Sequence, residues 1–415
     1  MADMMNEPAS GHPSSSHPSS GRPLSEIRAA LAAAVARGAD AMIGRKCLTE
    51  LVFLGLVAQE NLLLIGPPGT GKSAAARIAA QAVGGRYFEY LIGRFTEPAE
   101  IFGPLDLEAL QRGVVRPDVT NMLPEAEFAF LDEIFLGSTA ILNTLLGILN
   151  ERRYRRGAVD IACPLKCCVA ASNHFPEDPM LRAFADRFLL TSFVDPVGDH
   201  ALETLLEAGW RFSDRDQDPA ALLSMAEIER LTDAAKQVDM SDVRDAYAHI
   251  LRKLRSRGVQ FSDRRIVKGQ TLIASAAAVA GRDAAARADL WPIVFMAQDR
   301  ETQGEVRDLL QNELSDSANP VFTDAAGQAS VGPAARVEEL RAHGVALLED
   351  RPQLSAGEAW EVWLVKAESL LAQIDAGFPA DARPQALDTL RAALASQAET
   401  PADDATPEAG RPGDA

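Results

Sequence analysis

The chain has 415 residues, 47% hydrophobic and 24% charged, enough to bury a sizeable core in two or three domains, so wholesale disorder is excluded. Its 59 acidic side chains against 41 basic ones give a formal net charge of -18, which repels a phosphate backbone over most of the surface and argues against a dedicated nucleic-acid binder. Apolar runs such as Leu62–Ile65 fall far short of the roughly 20 residues of a membrane span, and no basic segment leads into an apolar stretch at the N-terminus; a soluble, unsecreted, cytoplasmic protein is expected.

Residues 1–24 are rich in Ser, Pro, Gly and His without apolar periodicity and read as a disordered leader, with His12 and His17 as solvated tail residues rather than metal ligands. From 25 to 195, short apolar runs alternate with longer helical ones, the pattern of a sheet covered by helices on both faces. The strand candidates are Asn61–Ile65, Tyr87–Ile92, Glu127–Leu131, Lys166–Ser172 and Phe188–Phe193. The intervening helices include Lys72–Val83 and Ser138–Arg153, the second with a stripe of Leu142, Leu145, Leu146 and Leu149. Cys163, Cys167 and Cys168, like Cys47, lack a second Cys/His set at metal-ligand spacing and are expected to be buried core thiols.

A second, all-helical domain is expected over 196–290, with segments at Ala201–Ala208, Ser224–Val238, Ser241–Arg257 and Asp263–Val279. A C-terminal helical region over 291–398 begins with Trp291–Leu310. Asn312–Pro333, polar and broken by Gly and Pro, then reads as a loop or linker. Three further helices follow at Ala334–Glu349, Ala356–Ile374 and Pro384–Gln397. The Trp360, Trp363, Leu364, Leu370, Leu371 and Ile374 stripe of the middle one fits the interior of a small bundle. Residues 399–415 read as a mobile acidic tail.

The chemistry is concentrated after the first strand. Gly66-Pro67-Pro68-Gly69-Thr70-Gly71-Lys72-Ser73 satisfies G-x-x-x-x-G-K-[ST] and opens directly into a helix, the context a phosphate loop requires. The glycines let backbone amides turn inward around a β-phosphate, Lys72 reaches the β and γ oxygens, and Ser73 is a Mg²⁺ ligand. Phe128-Ala129-Phe130-Leu131-Asp132-Glu133 places two carboxylates at the end of a second buried strand, Asp132 for the metal shell and Glu133 to orient and deprotonate water. A third strand ends at Ser172-Asn173, whose amide could help position that water.

In this order, the Gly-Pro-Pro-Gly-Thr-Gly-Lys-Ser loop, Phe-Leu-Asp-Glu-Ile, Val-Ala-Ala-Ser-Asn and Ala-Asp-Arg-Phe resemble a AAA+ ATPase of the MoxR family. Within it the RavA branch is the most similar, through Ile101-Phe102-Gly103-Pro104-Leu105, Leu123-Pro124-Glu125-Ala126-Glu127 and Asn150-Glu151-Arg152 among others. The resemblance covers about residues 25–310 and implies an α/β P-loop NTPase (AAA+) core with a helical lid domain and a C-terminal α-helical extension. It implies that Asp132 and Glu133 form the Walker B pair, that Asn173 is sensor 1, and that Arg187 is an arginine finger reaching a neighbouring subunit's nucleotide. Arg264 matches sensor 2, with Arg265 a close competitor, and Gly44-Arg45 resembles the adenine-side segment. Gly93–Asp118 resembles an inserted hairpin facing a ring's pore, where Arg94 and Phe95 could touch a client or form plain surface.

The resemblance further implies Mg²⁺-dependent ATP hydrolysis in a homo-hexamer that remodels or activates a protein client, with a von Willebrand factor A domain partner as adaptor. In that scheme Lys72, Ser73 and Arg264 act with the neighbour's Arg187. Residues 311–400 look too short and too helical for the β-rich module carried by members like RavA. Two rival readings share the nucleotide site, a nucleotide-gated scaffold with little turnover and a nucleic-acid motor, the second opposed by the acidic balance.

Overall fold

The computed structural model describes residues 21–198, 202–212, 221–330, 333–352, 357–378 and 383–399. Most of the expected leader, with His12 and His17, and the tail beyond Glu399 lie outside the described residues. In chain order the elements begin with α1 (Leu24–Ala41), α2 (Lys46–Ala58), β1 (Leu62–Ile65), α3 (Lys72–Val83), β2 (Tyr87–Leu91), α4 (Pro98–Phe102), α5 (Leu107–Gln111) and β3 (Phe128–Asp132). There follow α6 (Thr139–Glu151), β4 (Arg153–Arg156), β5 (Val159–Ala162), β6 (Cys167–Ser172), α7 (Pro179–Ala185) and β7 (Leu190–Phe193). The rest is helical: α8 (Leu202–Phe212), α9 (Met225–Lys236), α10 (Ser241–Ser256), α11 (Asp263–Val279), α12 (Pro292–Phe295), α13 (Arg300–Leu309), α14 (Thr323–Ser330), α15 (Pro333–Glu349), α16 (Glu358–Gly377) and α17 (Gln385–Glu399).

The five expected strands form one parallel sheet in the order β2-β3-β6-β1-β7. Both of its faces are covered, so alternate residues enter two different cores. Leu62 and Leu64 of β1, Phe128 and Phe130 of β3, and Cys167, Val169 and Ala171 of β6 pack with α1, α2 and α3. Their neighbours Leu63, Ile65, Ala129, Leu131, Cys168 and Ala170 pack on the other face, with Ile141, Leu145, Ile148 and Leu149 of α6. Burying both faces explains why these strands read as unbroken apolar runs rather than alternating ones. In register, Leu62 faces Val169 on one side and Leu190 on the other, and Phe128 faces Cys167. The carboxyl ends of β1, β6 and β3 therefore lie side by side, about 5 Å apart from strand to strand.

Two features depart from expectation. Arg153–Ala162, where no strand was expected, is the antiparallel hairpin β4–β5, turning at Gly157 with φ +59°. The segment 312–333, expected as a loop or linker, contains α14, whose Ala325, Ala326 and Ala329 are buried in the same core as α2 and α11. Its amino end is held by Glu50 of α2, which accepts from Asp324 N at 3.2 Å and Ala325 N at 2.6 Å, while Lys46 pairs with Asp324 at 2.7 Å. Burial pushes the Glu50 carboxyl up to about 7.

That large core runs from Ile27 to Ala329 and takes in α9 to α14. A separate cluster of Leu340, Trp363, Ala367, Leu370, Ile374, Leu387 and Leu394 joins α15, α16 and α17, and the Trp363 indole donates to Leu347 O at 2.7 Å. All four cysteines are free and buried, and burial pushes Cys163 and Cys168 up to about 11 and about 12. Among the described residues no helix is long and apolar enough to cross a membrane.

Candidate nucleotide site

The loop after β1 is built by close backbone approach. Gly66 N donates to Ser172 O at 3.1 Å, and a Cβ at Gly66 would lie 2.1 Å from Val194 O, so only glycine fits between β6 and the end of β7. Gly69 and Gly71 take φ of +77° and +84°, which swings the chain into α3 starting at Lys72. Gly66, Thr70 and Lys72 are buried, whereas Pro67, Pro68 and Gly69 are exposed. Lys72 Nζ donates to Gly66 O at 2.6 Å and Pro67 O at 2.9 Å, and Thr70 Oγ1 donates to Pro67 O at 2.9 Å. Burial lowers the Lys72 pKa and the nearby Asp132 and Glu133 charges oppose that shift, so the ammonium lies in the field of both carboxylates. Arg45 Nε donates to Thr70 O at 3.0 Å, a brace on the loop, and Gly44 precedes it with φ +67°.

At the end of β3, Glu133 adopts φ +50°, in the left-handed region, and its N–H donates to Asp132 Oδ1 at 2.9 Å. This conformation is uncommon for a side-chain-bearing residue and turns the two consecutive carboxylates apart. At the end of β6, Asn173 Nδ2 donates to Glu133 Oε1 at 2.5 Å. Thus Lys72, Asp132, Glu133 and Asn173 converge at three adjoining strand ends, beside the amino end of α3, where helix amides and dipole favour an anion. The half-buried Ser73 is one residue into that helix.

The donor set suits Mg²⁺. The Ser73 hydroxyl and Asp132 carboxylate are hard oxygens. Mg²⁺ takes one or two protein ligands and completes its shell with phosphate oxygens and water. No group of three His, Cys, Asp or Glu able to hold a metal by itself occurs among the described residues.

The arginines lie elsewhere. Arg187 precedes β7, and its carbonyl accepts from Asn61 Nδ2 at 3.4 Å just ahead of β1, so it belongs to the amino edge of the sheet, opposite the phosphate loop. Arg264, expected to act with its own chain's Lys72 and Ser73, is on that same amino edge. Its Nη2 donates to Asn150 Oδ1 at 2.5 Å, and its pKa is lowered by burial and by the charges of Arg187 and Arg152. The placement follows from α11 packing against α9 and α2 rather than over the phosphate loop. Arg265 is 2% exposed and fully engaged with the carbonyls of Phe188, Leu189 and Met296 and with Asp186, its pKa pulled down to about 10 by burial. Of the adjacent pair, Arg264 is the one that is only partly buried.

Sequence reasoning missed the amino-edge joint. Buried Asn61 accepts from Cys168 N at 3.1 Å and from Arg152 Nη1 at 3.4 Å. Arg152 also donates to Gln59 O, Leu149 O and Lys166 O. A polar residue heading an apolar strand is the only sequence signal for it. Beside Glu133, an open hollow of about 470 Å³ is lined by Leu91, Ile92, Arg94, Phe95, Glu100 and Leu136. Phe95 is 96% exposed in the loop before α4. Within Gly93–Asp118, α4 is followed by a short ribbon over 104–118, closed by Asp106 N to Arg116 O and Asp118 N to Pro104 O, which carries α5 and leaves Leu107, Val114 and Val115 exposed.

Residues 29–233 match the family model described as the MoxR domain in the MoxR-vWA-beta-propeller ternary systems. Two uncharacterised proteins of Methanocaldococcus jannaschii are 34% and 35% identical over 244 and 243 residues, each 58% of this chain and 64% and 63% of the relative. The chain thus spans under two thirds of either relative's length. The chaperone MoxR1 of Mycobacterium tuberculosis is 26% identical over 198 residues, 47% of this chain and 51% of that protein. A crystal structure of a presumed ATPase from Cytophaga hutchinsonii shares the fold, with a TM-score of 0.57 at 15% identity over 71% of this chain and 96% of that one. Residues 29–233 of this chain are thus similar to a MoxR domain, and the solved structure shares the fold.

Proposed function

We propose that the protein hydrolyses ATP to ADP and phosphate with Mg²⁺, in a ring of six copies, and uses the cycle to remodel or activate a protein client. The convergence of Lys72, Asp132, Glu133 and Asn173 over the phosphate loop carries this reading. Lys72 and the amides at the start of α3 hold the β and γ phosphates, Ser73 and Asp132 hold the metal, and Gly44-Arg45 brace the loop on the adenine side. When bound, Mg²⁺ neutralises charge on the phosphate oxygens. Glu133, kept in place by the Asn173 amide, orients the attacking water and takes its proton.

Arg187 and Arg264 face away from their own phosphate loop across the sheet, whose four-residue β1 alone spans about 13 Å. We place them at a neighbour's γ-phosphate, as finger and sensor 2, which makes each site shared between two copies and requires a closed ring of head-to-tail contacts. Residues 25–195 are the nucleotide-binding domain in this reading, 196–290 the lid, and 291–398 a C-terminal extension. The motifs that resemble the RavA branch are our ground for it as the nearest branch. The system named in the family match supports a von Willebrand factor A domain partner, and the chaperone name of MoxR1 supports a protein client.

The test is Glu133→Gln. The amide still accepts from Asn173, so ATP binding should survive, while hydrolysis should fall by about 10²–10⁴. Equally negligible turnover in wild type and variant, with binding intact, would favour a nucleotide-gated scaffold.

A further inference from the structure

We propose that Asn150 is the positioning residue for Arg264, holding its guanidinium next to Arg187 as one unit offered to the adjoining copy. The inference rests on the reading above, in which these arginines serve a neighbour's nucleotide. Arg264, Arg187 and Arg152 are like charges gathered at one edge, and after burial the charges of Arg187 and Arg152 lower the Arg264 pKa. Left without an acceptor, Arg264 would be pushed outward by its neighbours. The carboxylates acting on it, Glu60 and Asp186, are already engaged, Glu60 by Lys268 at 2.6 Å and Asp186 by Arg265, Ser262 and Gln298. Asn150 Oδ1 supplies the remaining acceptor.

The platform is rigid. Asn150 sits in the last turn of α6, which is closed by Arg152 at φ +55° and tied through Leu149 O to Asn61 and Arg152. An amide oxygen has the right chemistry, since it fixes the guanidinium without cancelling its charge. A carboxylate would hold Arg264 more tightly and spend that charge locally.

The experiment measures steady-state ATPase and thermal midpoint for the assembled wild type, Asn150→Ala, Asn150→Asp, Arg264→Ala and the double variant Asn150→Ala/Arg264→Ala. Asn150→Ala should lower kcat about tenfold with KM and midpoint unchanged, and should have no further effect once Arg264 is gone. Asn150→Asp should keep the midpoint yet leave kcat as low as in Asn150→Ala. If Asn150 were only a joint between α6 and α11, Asn150→Asp would restore kcat, and that result overturns the proposal. Additive losses in the double variant, or wild-type turnover in Arg264→Ala, overturn it while leaving the ATPase reading intact. A wild type without turnover overturns both.

Discussion

Gly66→Ala is a sharp test of how the phosphate loop is built. The new Cβ would sit 2.1 Å from Val194 O and 3.0 Å from Val194 C, contacts with backbone rather than with a movable side chain. Neither side can yield freely, because Gly66 N donates to Ser172 O at 3.1 Å and Val194 N donates to Ile65 O at 2.8 Å. Relief requires the end of β7 to move by about 1 Å, giving up the Val194–Ile65 hydrogen bond at roughly 1 kcal/mol and disturbing the packing of Val194, for a total of about 2–4 kcal/mol. For the nucleotide-binding core this corresponds to a fall in thermal midpoint on the order of 10 °C. Gly69→Ala is the control, since a Cβ there meets nothing within 4 Å and the cost is only the left-handed backbone, about 1–2 kcal/mol. Calorimetry of both variants decides the matter. A Gly66→Ala midpoint equal to that of wild type, or lower stability for Gly69→Ala than for Gly66→Ala, would refute the close-approach argument.

The neighbouring arginines should separate cleanly. Arg265→Met strips donors from three buried carbonyls and should cost about 3–5 kcal/mol in denaturant unfolding, whereas Arg264→Ala should cost under about 1 kcal/mol and instead suppress ATPase activity. Glu50, with no exposed surface and a pKa raised from 4.5 to about 7, favours the folded state when protonated. That contribution, about 3 kcal/mol at full extent, is present below the unfolded pKa and lost as pH rises through the folded one. Glu50→Gln keeps an acceptor for Ala325 N and should flatten the stability difference between about pH 5 and pH 8, as read from denaturant midpoints. An unchanged slope would assign that pH dependence to other groups.

The buried strands could be read in advance because both faces of the sheet are covered, which leaves Leu62–Ile65 and Phe128–Leu131 uniformly apolar. The phosphate loop and the Asp132-Glu133 pair were equally legible, since their chemistry is local in sequence. The hairpin β4–β5 was not, because in Arg153–Arg156 only Tyr154 is buried and the ribbon pairs with itself instead of joining the sheet. Gly157 was its one clue. The helix α14 was hidden for a similar reason: its small residues pack on α2, and the carboxylate holding its amino end, Glu50, is remote in sequence. The side of the sheet on which Arg264 lands depends on how α11 docks, which no local pattern encodes.

Subunit complementation tests the central claim most directly. Lys72→Ala removes the phosphate-loop cation from a copy's own site, and Arg187→Ala removes the arginine that we place at the neighbour's. Each variant alone should be inactive, and an equal mixture reassembled together should recover about a quarter of the wild-type ATPase rate, from interfaces that pair an intact loop with an intact arginine. No recovery in mixed assemblies, or full activity in Arg187→Ala alone, would contradict a nucleotide site shared between copies.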